Sequence, residues 1–262
     1  TLGWQDRLKN GLSYGVKFNL YDSRTKITRY PNNPTNSIDS ETYIEGRYMN
    51  EIWGYTTVGI AKTDEEMNAH LATLPNGGQD ELGSNWGAGD IMYKDVDEDG
   101  KISAGSGVLG DTGDMTVIGN STPRFHFGLD LNAAWKGFDV RLFFQGVMKR
   151  DYWEGSTYLF GASSSGQWWA TGLEQIHDYF RDESSWSVVN GYQDVNYDSY
   201  LPKPRYSDQN QQCQTRYLQN AAYIRLKNLQ LGYTIPAQIT QRWGIQNLRF
   251  FFSGENLWTG TG

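Results

Sequence analysis

The chain has a single cysteine, Cys213, and only three histidines among its 262 residues. One thiol excludes an intrachain disulfide, and with so few imidazoles no zinc-binding spacing remains. No apolar run approaches the length of a membrane-spanning helix. The formal net charge of −7 leaves no broad basic surface for phosphates. These absences argue against a domain stabilised by disulfides, a helical membrane protein and a nucleic-acid partner.

Sequence signatures of catalysis are also missing. The chain has no G-x-S-x-G, no H-E-x-x-H and no phosphate-binding loop. With 30 acidic residues some pair of carboxylates will always lie close, but no spacing singles out a pair for glycoside hydrolysis. We therefore assign no catalytic residue and predict that the protein is not an enzyme.

Aromatic residues, by contrast, are abundant. They make up 15% of the chain, with 10 Trp and 17 Tyr, although the mean hydropathy is only −0.64. Many rings in a polar chain are typical of carbohydrate-binding surfaces, β-sandwiches and the aromatic girdles of membrane barrels.

Alternation of apolar and polar residues predicts strands near residues 13–21, 124–135, 137–147, 223–233 and 247–257. In the second of these, Phe127 and Leu129 share a face opposite Gly128 and Asp130. The fourth segment changes parity, and a β-bulge near Lys227 would restore a single apolar face. Each segment has about the 9–11 residues that a tilted membrane strand needs.

The connections between these strands alternate in length. Residues 134–137 predict a tight turn, whereas residues 22–123 and 148–222 are very long. Outer-membrane barrels combine short periplasmic turns with long extracellular loops. We therefore predict an all-β fold, part of a large antiparallel transmembrane β-barrel. A soluble β-sandwich is the alternative, and it predicts short loops at both ends of its strands.

Two short helices are predicted inside the long connections. The first covers residues 62–74, with Thr63 or Asp64 as its N-cap and acidic residues in its first turn. The second covers residues 171–180.

Five segments together resemble the SusC/RagA family of TonB-linked outer-membrane proteins. They read YIEGRYMNEIWG at 43–54, GDIMYKDVDEDGKIS at 89–103, DMTVIGNSTPRFHFGLDLNAAWKGFDVRLFFQG at 114–146, YIRLKNLQLGYTIP at 223–236 and NLRFFFSGENLW at 247–258. Their order and spacing match the family, and the resemblance covers nearly the whole chain. Tyr48 stands where proline is common in the family.

The resemblance implies a fragment of a barrel of about 22 strands, without the plug domain that fills the lumen of such barrels. It implies import of an oligosaccharide or a peptide across the bacterial outer membrane. The partners would be a SusD-like surface lipoprotein, the TonB complex through segments outside this chain, and membrane lipid. Two other functions remain as alternatives: a soluble carbohydrate-binding module and a secreted glycoside hydrolase.

The segment from Asp95 to Lys101 has the D-x-D-x-D-G spacing of a calcium loop. Asp95, Asp97 and Asp99 would supply carboxylate oxygens and Lys101 a backbone carbonyl, whereas Ser106 stands where such loops carry a bidentate Glu. The alternative is an acidic turn whose carboxylates accept hydrogen bonds from its own backbone. Structural calcium is the one cofactor that the sequence suggests, and none is required.

Tryptophans in the long connections are candidates for substrate contact. We predict this role for Trp86, Trp168 and Trp169, because flat rings stack on sugar faces. The alternative is that these rings pack the long connections into small cores.

Overall fold

The computed structural model describes residues 1–39, 42–155, 157–160 and 174–262. Its strands are β1 Leu2–Arg7, β2 Ser13–Tyr21, β3 Glu51–Gly54, β4 Thr57–Ile60, β5 Ile91–Tyr93, β6 Thr116–Asn120, β7 Arg124–Trp135, β8 Phe138–Lys149, β9 Asp151–Trp153, β10 Leu218–Asn220, β11 Tyr223–Thr234 and β12 Arg249–Thr261. Its α-helices are α1 Asp64–Ala72, α2 Thr157–Phe160, α3 Trp186–Val189 and α4 Ala237–Thr240. Short 3-10 turns cover Glu174–His177, Thr215–Tyr217 and Gln241–Trp243.

The chain divides into two units. The sheet unit comprises Thr1–Thr25, Thr122–Asp151 and Asn220–Gly262. The loop unit comprises Lys26–Ser121 and Tyr152–Gln219. Most of the two long connections therefore forms a folded unit with short strands and helices of its own.

The sheet unit is a six-stranded antiparallel sheet in the order β1-β2-β7-β8-β11-β12. Each strand pairs with the sheet strand that precedes it in the chain, so the sheet is an up-and-down meander. This confirms the predicted all-β, antiparallel fold. The five predicted strands correspond to β2, β7, β8, β11 and β12, whereas β1 was not predicted.

Both long connections begin and end at the same end of the sheet strands. There Tyr21 at the end of β2 pairs with His126 near the start of β7, and Val147 of β8 pairs with Tyr223 of β11. The short connections lie at the opposite end of the strands. The tightest joins β7 to β8 through Lys136 and Gly137, whose positive φ angles of 49° and 88° are those of a two-residue hairpin turn.

Strand pairing places apolar residues together on one sheet face. Leu131 of β7 pairs with Val16 on one side and with Leu142 on the other. The opposite face is mostly polar. There Asp130 pairs with Lys17 on one side and with Phe143, an apolar residue of this face, on the other. The register of β11 shifts between Leu226 and Asn228 against both neighbouring strands. The predicted bulge is therefore present, and it keeps the apolar residues of β11 on one face.

The apolar face of the sheet is exposed. Phe138, Phe250 and Phe252 are each 60–61% exposed. Among the buried apolar residues of the described chain, only Val147 belongs to the sheet unit. A β-sandwich would bury such rings between two facing sheets, so the sandwich alternative is wrong for the described sheet.

The loop unit has the hydrophobic core that the sheet unit lacks. Its main cluster is Tyr55, Leu74, Ile91, Tyr93, Ile102, Leu159, Phe160, Leu201 and Tyr217. A smaller cluster joins Ala61, Met67 and Met92. In both clusters, buried residues of β5 pack against side chains that are distant in sequence, so long-range apolar contacts stabilise this unit.

Helix α1 lies within the predicted segment 62–74. The side chain of its N-cap Thr63 accepts a hydrogen bond from the backbone N–H of Glu66 at 3.2 Å. The helix predicted at 171–180 is wrong where it is described, because Glu174–His177 forms a 3-10 turn and residues 171–173 lie outside the described residues. Within the described ranges, no helix combines the length and apolar composition needed to cross a membrane.

Candidate functional site

The polar sheet face carries a cross-strand ion pair. The Arg141 guanidinium on β8 donates to both oxygens of Asp130 on β7, with the shortest distance 2.5 Å. Together with Lys17 and Asn132, this pair lines an open groove of about 660 Å³. Charged and amide groups of this kind can hydrogen-bond polar ligands, and their positions follow from the period-2 pattern.

The acidic loop folds so that its three aspartates converge. One oxygen from each of Asp95, Asp97 and Asp99 lies within 4.8 Å of the other two. Asp95 accepts hydrogen bonds from the N–H groups of Glu98 and Gly100 at 2.7 and 2.9 Å, and Asp97 accepts one from Asp99 at 3.2 Å. Both a calcium loop and a self-satisfied acidic turn have such bonds. Calcium binding here stays a prediction.

Lys101 is predicted to offer its backbone carbonyl oxygen to calcium, and its side chain is engaged elsewhere. Its ammonium donates to Glu81 at 2.8 Å, and this hydrogen bond raises the pKa of Lys101. Its backbone forms a parallel bridge with Gly78, which holds the end of the acidic loop. The geometry thus secures the position of Lys101, and the role of its carbonyl stays a prediction.

Asp114 anchors the acidic loop. It is fully buried, and its two oxygens accept hydrogen bonds from the N–H groups of Val96 at 2.6 Å and Ser103 at 2.8 Å. Burial, with the nearby charges of Asp97 and Asp95, raises the pKa of Asp114. Its oxygens hold the loop backbone together, so Asp114 is a structural residue.

Trp86 packs beside both clusters of the loop-unit core. Its ring meets Tyr93 edge-to-face, with centroids 6.4 Å apart. Its Nε1 atom is buried and has no hydrogen-bond partner among the described residues. The ring also lines a polar cavity of about 370 Å³ with Asp64, Lys203 and Arg205. Trp86 therefore has a packing role in this core, and a substrate contact stays a prediction.

Two further pairs of tryptophans remain. Trp168 and Trp169 lie outside the described residues. Trp135 and Trp258, at opposite ends of the sheet, are 43% and 53% exposed, as residues of an aromatic belt would be.

Sequence reasoning missed a cavity of about 700 Å³ in the loop unit, which we call the loop cavity. Its apolar lining is Ile27, Ile38, Ile44, Ile52, Met115, Tyr43, Tyr48, Trp53 and Trp153. Arg47, Glu51 and Cys213 are among its polar lining residues. Much of this wall comes from the segment 43–54, so the motif YIEGRYMNEIWG was the signal that could have located it.

Gly54 ends that motif because no larger residue fits there. A Cβ atom at this position would overlap the carbonyl group of Cys213. That carbonyl accepts a hydrogen bond from the N–H of Tyr55 at 2.8 Å, which fixes the Cys213 segment against β3. Burial raises the pKa of the Cys213 thiol to about 12, so the cavity wall carries a neutral thiol.

An ion pair lies on the wall of the loop cavity. The Nε of Arg47 donates to Glu51 at 2.8 Å, and the second oxygen of Glu51 accepts from the N–H of Tyr48 at 3.3 Å. The Arg47 guanidinium also lies 5.3 Å from the centroid of the Trp53 ring, in cation–π range. Ring and carboxylate together fix the position of this cation.

Comparisons with known proteins give two curated relatives. TonB-dependent receptor P3 of Formosa agariphila is 25% identical over 259 residues, which cover 95% of this chain and 22% of the relative. TonB-dependent receptor P26 of the same organism is 23% identical over 217 residues, 82% of this chain and 18% of the relative. No family model matches the chain.

Solved structures of a RagAB peptide transporter share the fold. One aligns with a TM-score of 0.59 at 20% identity, covering 99% of this chain and 24% of that chain. The RagAB peptide importer in its closed-closed state gives the same score and covers 25% of that chain. The relatives' names and the shared fold confirm the resemblance to SusC/RagA-type TonB-dependent proteins. The chain spans about a quarter or less of the length of these proteins.

Proposed function

We propose that this chain forms part of a SusC-like TonB-dependent transporter that imports a nutrient across the bacterial outer membrane. One observation carries the proposal: a six-stranded meander with an exposed apolar face and a charged opposite face. In a membrane barrel the apolar face contacts lipid and the polar face lines the lumen. A single sheet that is apolar on one side and polar on the other is what such a wall requires.

The remainder of the transport machinery is inferred from the relatives. The curated relatives are named TonB-dependent receptors, which supports energy supply through a TonB complex. One structural neighbour is a RagAB peptide transporter, which supports a SusD-like lipoprotein partner and a peptide as one substrate class. An oligosaccharide is the other class that the sequence resemblance implies.

The first test is membrane residence and energised uptake of the full-length protein. We expect extraction from the outer membrane to require detergent, and substrate uptake to disappear in cells that lack TonB. A monodisperse protein in water without detergent, or uptake that is independent of TonB, would contradict the proposal.

Two neighbouring residues test which face contacts lipid. Leu131 lies on the apolar face of β7 and Asn132 on the polar face. Leu131→Arg should impair membrane assembly, because an arginine facing the bilayer midplane costs about 2–4 kcal/mol. Asn132→Arg, the matched control on the same strand, should assemble normally. Equal assembly of the two variants would argue against the assigned facing.

A further inference from the structure

An open groove lies on the apolar face of the sheet, at the end of the strands where the short connections lie. We propose that this groove and the neighbouring turns bind an anionic phospholipid, with one acyl chain in the groove and the phosphate beside the turns. The inference rests on the proposed function and goes beyond it, because it assigns one class of lipid to one place on the barrel wall.

The groove results from a change in side-chain size between two rows of paired residues. The row nearest the turns has one large ring on each of the strands β7, β8, β11 and β12, namely Trp135, Phe138, Tyr233 and Phe250. The next row inward has smaller aliphatic side chains on three of these strands, namely Ala133, Val140 and Leu231. Beside the rings these smaller residues leave a groove of about 660 Å³, within the range of ligand sites.

A hydrocarbon chain suits this groove. Phe138 and Tyr233, with ring centroids 4.5 Å apart, give it an aromatic wall that a flexible chain can follow with many van der Waals contacts. Asp139 is the one charged residue among the described lining residues, and it is paired with Arg249. Aromatic rows of membrane barrels lie at the level of the lipid headgroups. A bound chain would therefore run inward from the rings, with its headgroup on the side of the turns.

The turns beyond the aromatic row carry only positive charge. Residues 8–12, 134–137 and 235–248 contain no acidic residue, although the formal net charge of the chain is −7. Their three cations are Lys9, Lys136 and Arg242. All three residues are exposed, and within the described ranges none of them forms an ion pair. Cations without carboxylate partners attract an anionic headgroup.

Hydrogen bonds bring the three turns together beside the groove. The indole N–H of Trp135 donates to the carbonyl of Asn10 at 3.2 Å, which joins the first turn to the second. The N–H of Thr234 donates to the carbonyl of Gly137 at 2.8 Å, which joins the second turn to the third connection. The ammonium of Lys136 lies 4.6 Å from the centroid of the Trp135 ring, at the rim of the groove. The positive charge is therefore held where the phosphate of a lipid in the groove would lie.

The test uses the full-length protein in detergent and two lipids with identical palmitoyl chains. Phosphatidylglycerol is anionic, whereas phosphatidylcholine carries no net charge. Native mass spectrometry during a lipid titration counts the bound lipids and gives their affinities. Because each cation near the headgroup favours the anionic lipid, phosphatidylglycerol should bind at least about tenfold more tightly than phosphatidylcholine.

Two sets of charge variants locate the headgroup. The first set replaces all three turn cations by glutamine: Lys9→Gln, Lys136→Gln and Arg242→Gln. It should remove the preference for phosphatidylglycerol. The matched control replaces three exposed cations that end β8 or follow β2 in the chain: Lys149→Gln, Lys26→Gln and Arg29→Gln. The control set should retain the preference.

A substitution in the groove locates the acyl chain. Val140→Trp fills the groove and should weaken the binding of both lipids several-fold, because the chain loses its contacts. Leu20→Trp is the matched control, since Leu20 is 51% exposed on the apolar face of β2 and does not line the groove. The charge variants change only exposed turn residues, so they decide the inference even if Val140→Trp does not assemble.

Several results would overturn the inference. One is equal affinity of the wild-type protein for the two lipids, and another is a preference that survives the first set of charge variants. Loss of the preference in the control set would show that net charge, not these turns, selects the lipid. A dimer that Val140→Trp dissociates would assign the groove to a second copy of the chain. In each case, detergent-dependent extraction and TonB-dependent uptake would leave the transport function standing, whereas their failure would reject that function.

Discussion

Arg249 on β12 reaches across β11 to form an ion pair with Asp139 on β8. Its guanidinium donates to both carboxylate oxygens of Asp139, at 3.0 and 2.6 Å. Gly232 lies on the intervening strand, and a Cβ atom there would lie 2.5 Å from an oxygen of Asp139 and collide with the Arg249 guanidinium. A glycine in mid-strand is ordinarily unfavourable, and here it leaves the space through which the two charged groups meet.

Replacing this glycine should therefore destabilise the sheet. We expect Gly232→Val to lower the free energy of unfolding by about 1–3 kcal/mol, because the added atoms force the guanidinium and the carboxylate apart. Urea unfolding of the full-length barrel from lipid vesicles measures this change. The ion pair itself contributes less, since about a third of each side chain is exposed.

Gly3→Ala is the matched control for this prediction. A Cβ atom at Gly3 would lie 3.9 Å from its nearest neighbour, the carbonyl oxygen of Val16, so the substitution should be neutral or slightly stabilising. Combining Gly232→Val with Arg249→Ala should recover part of the lost stability. Purely additive effects of the two substitutions would show that the guanidinium is not what the valine displaces.

The acidic loop should depend on Asp114. Asp114→Ala leaves the N–H groups of Val96 and Ser103 without their acceptor. Ser103 is buried, and an unpaired buried donor costs about 1–3 kcal/mol, whereas the N–H of the more exposed Val96 can turn to water. We expect faster hydrogen exchange at both amides, measured by mass spectrometry of the full-length protein. Asp194→Ala, at an exposed aspartate of the same unit, should leave exchange unchanged. Unchanged exchange in Asp114→Ala would mean that other groups hold the loop.

Calcium binding is tested by thermal unfolding with calcium, magnesium or a chelator. If the acidic loop holds calcium, calcium should raise the melting temperature and the chelator lower it, because a ligand bound only to the folded state stabilises that state. Magnesium should have little effect, since it prefers a tight octahedral site. Asp97→Ala should abolish the calcium effect and Asp80→Ala, outside the cluster, should preserve it. Identical melting under all conditions would identify the loop as an acidic turn.

The single thiol of this chain should react slowly with maleimide. Burial raises the pKa of Cys213 to about 12, and only the thiolate is nucleophilic. In a full-length protein whose other cysteines are replaced by serine, the labelling rate should still rise about tenfold per pH unit above pH 9, whereas an ordinary thiol levels off there. Ser84→Cys in a Cys213→Ser background provides the exposed comparison. A plateau for Cys213 near pH 9 would contradict the raised pKa.

Local patterns in the sequence were sufficient for five of the six strands of the sheet. Alternation in β7 and β8 reflects a backbone geometry that sends successive side chains to opposite faces. The parity change around Lys227 predicted the bulge for the same reason. β1 was missed because its six residues, LGWQDR, alternate too briefly to give a clear pattern. The N-cap at Thr63 could be predicted because capping depends on residues only three positions apart.

The sequence by itself determined the five long strands of the sheet, which face of each of them is apolar, and that the acidic residues 95–99 lie close together. These properties depend on neighbours a few positions apart, where the geometry of the backbone fixes the distances. Only the tertiary structure decided that the long connections fold around a core of their own and enclose the loop cavity. It also decided that Arg249 meets Asp139, 110 residues away in the chain, across Gly232. Contacts of this kind arise when distant segments pack, and no local pattern encodes which segments will meet.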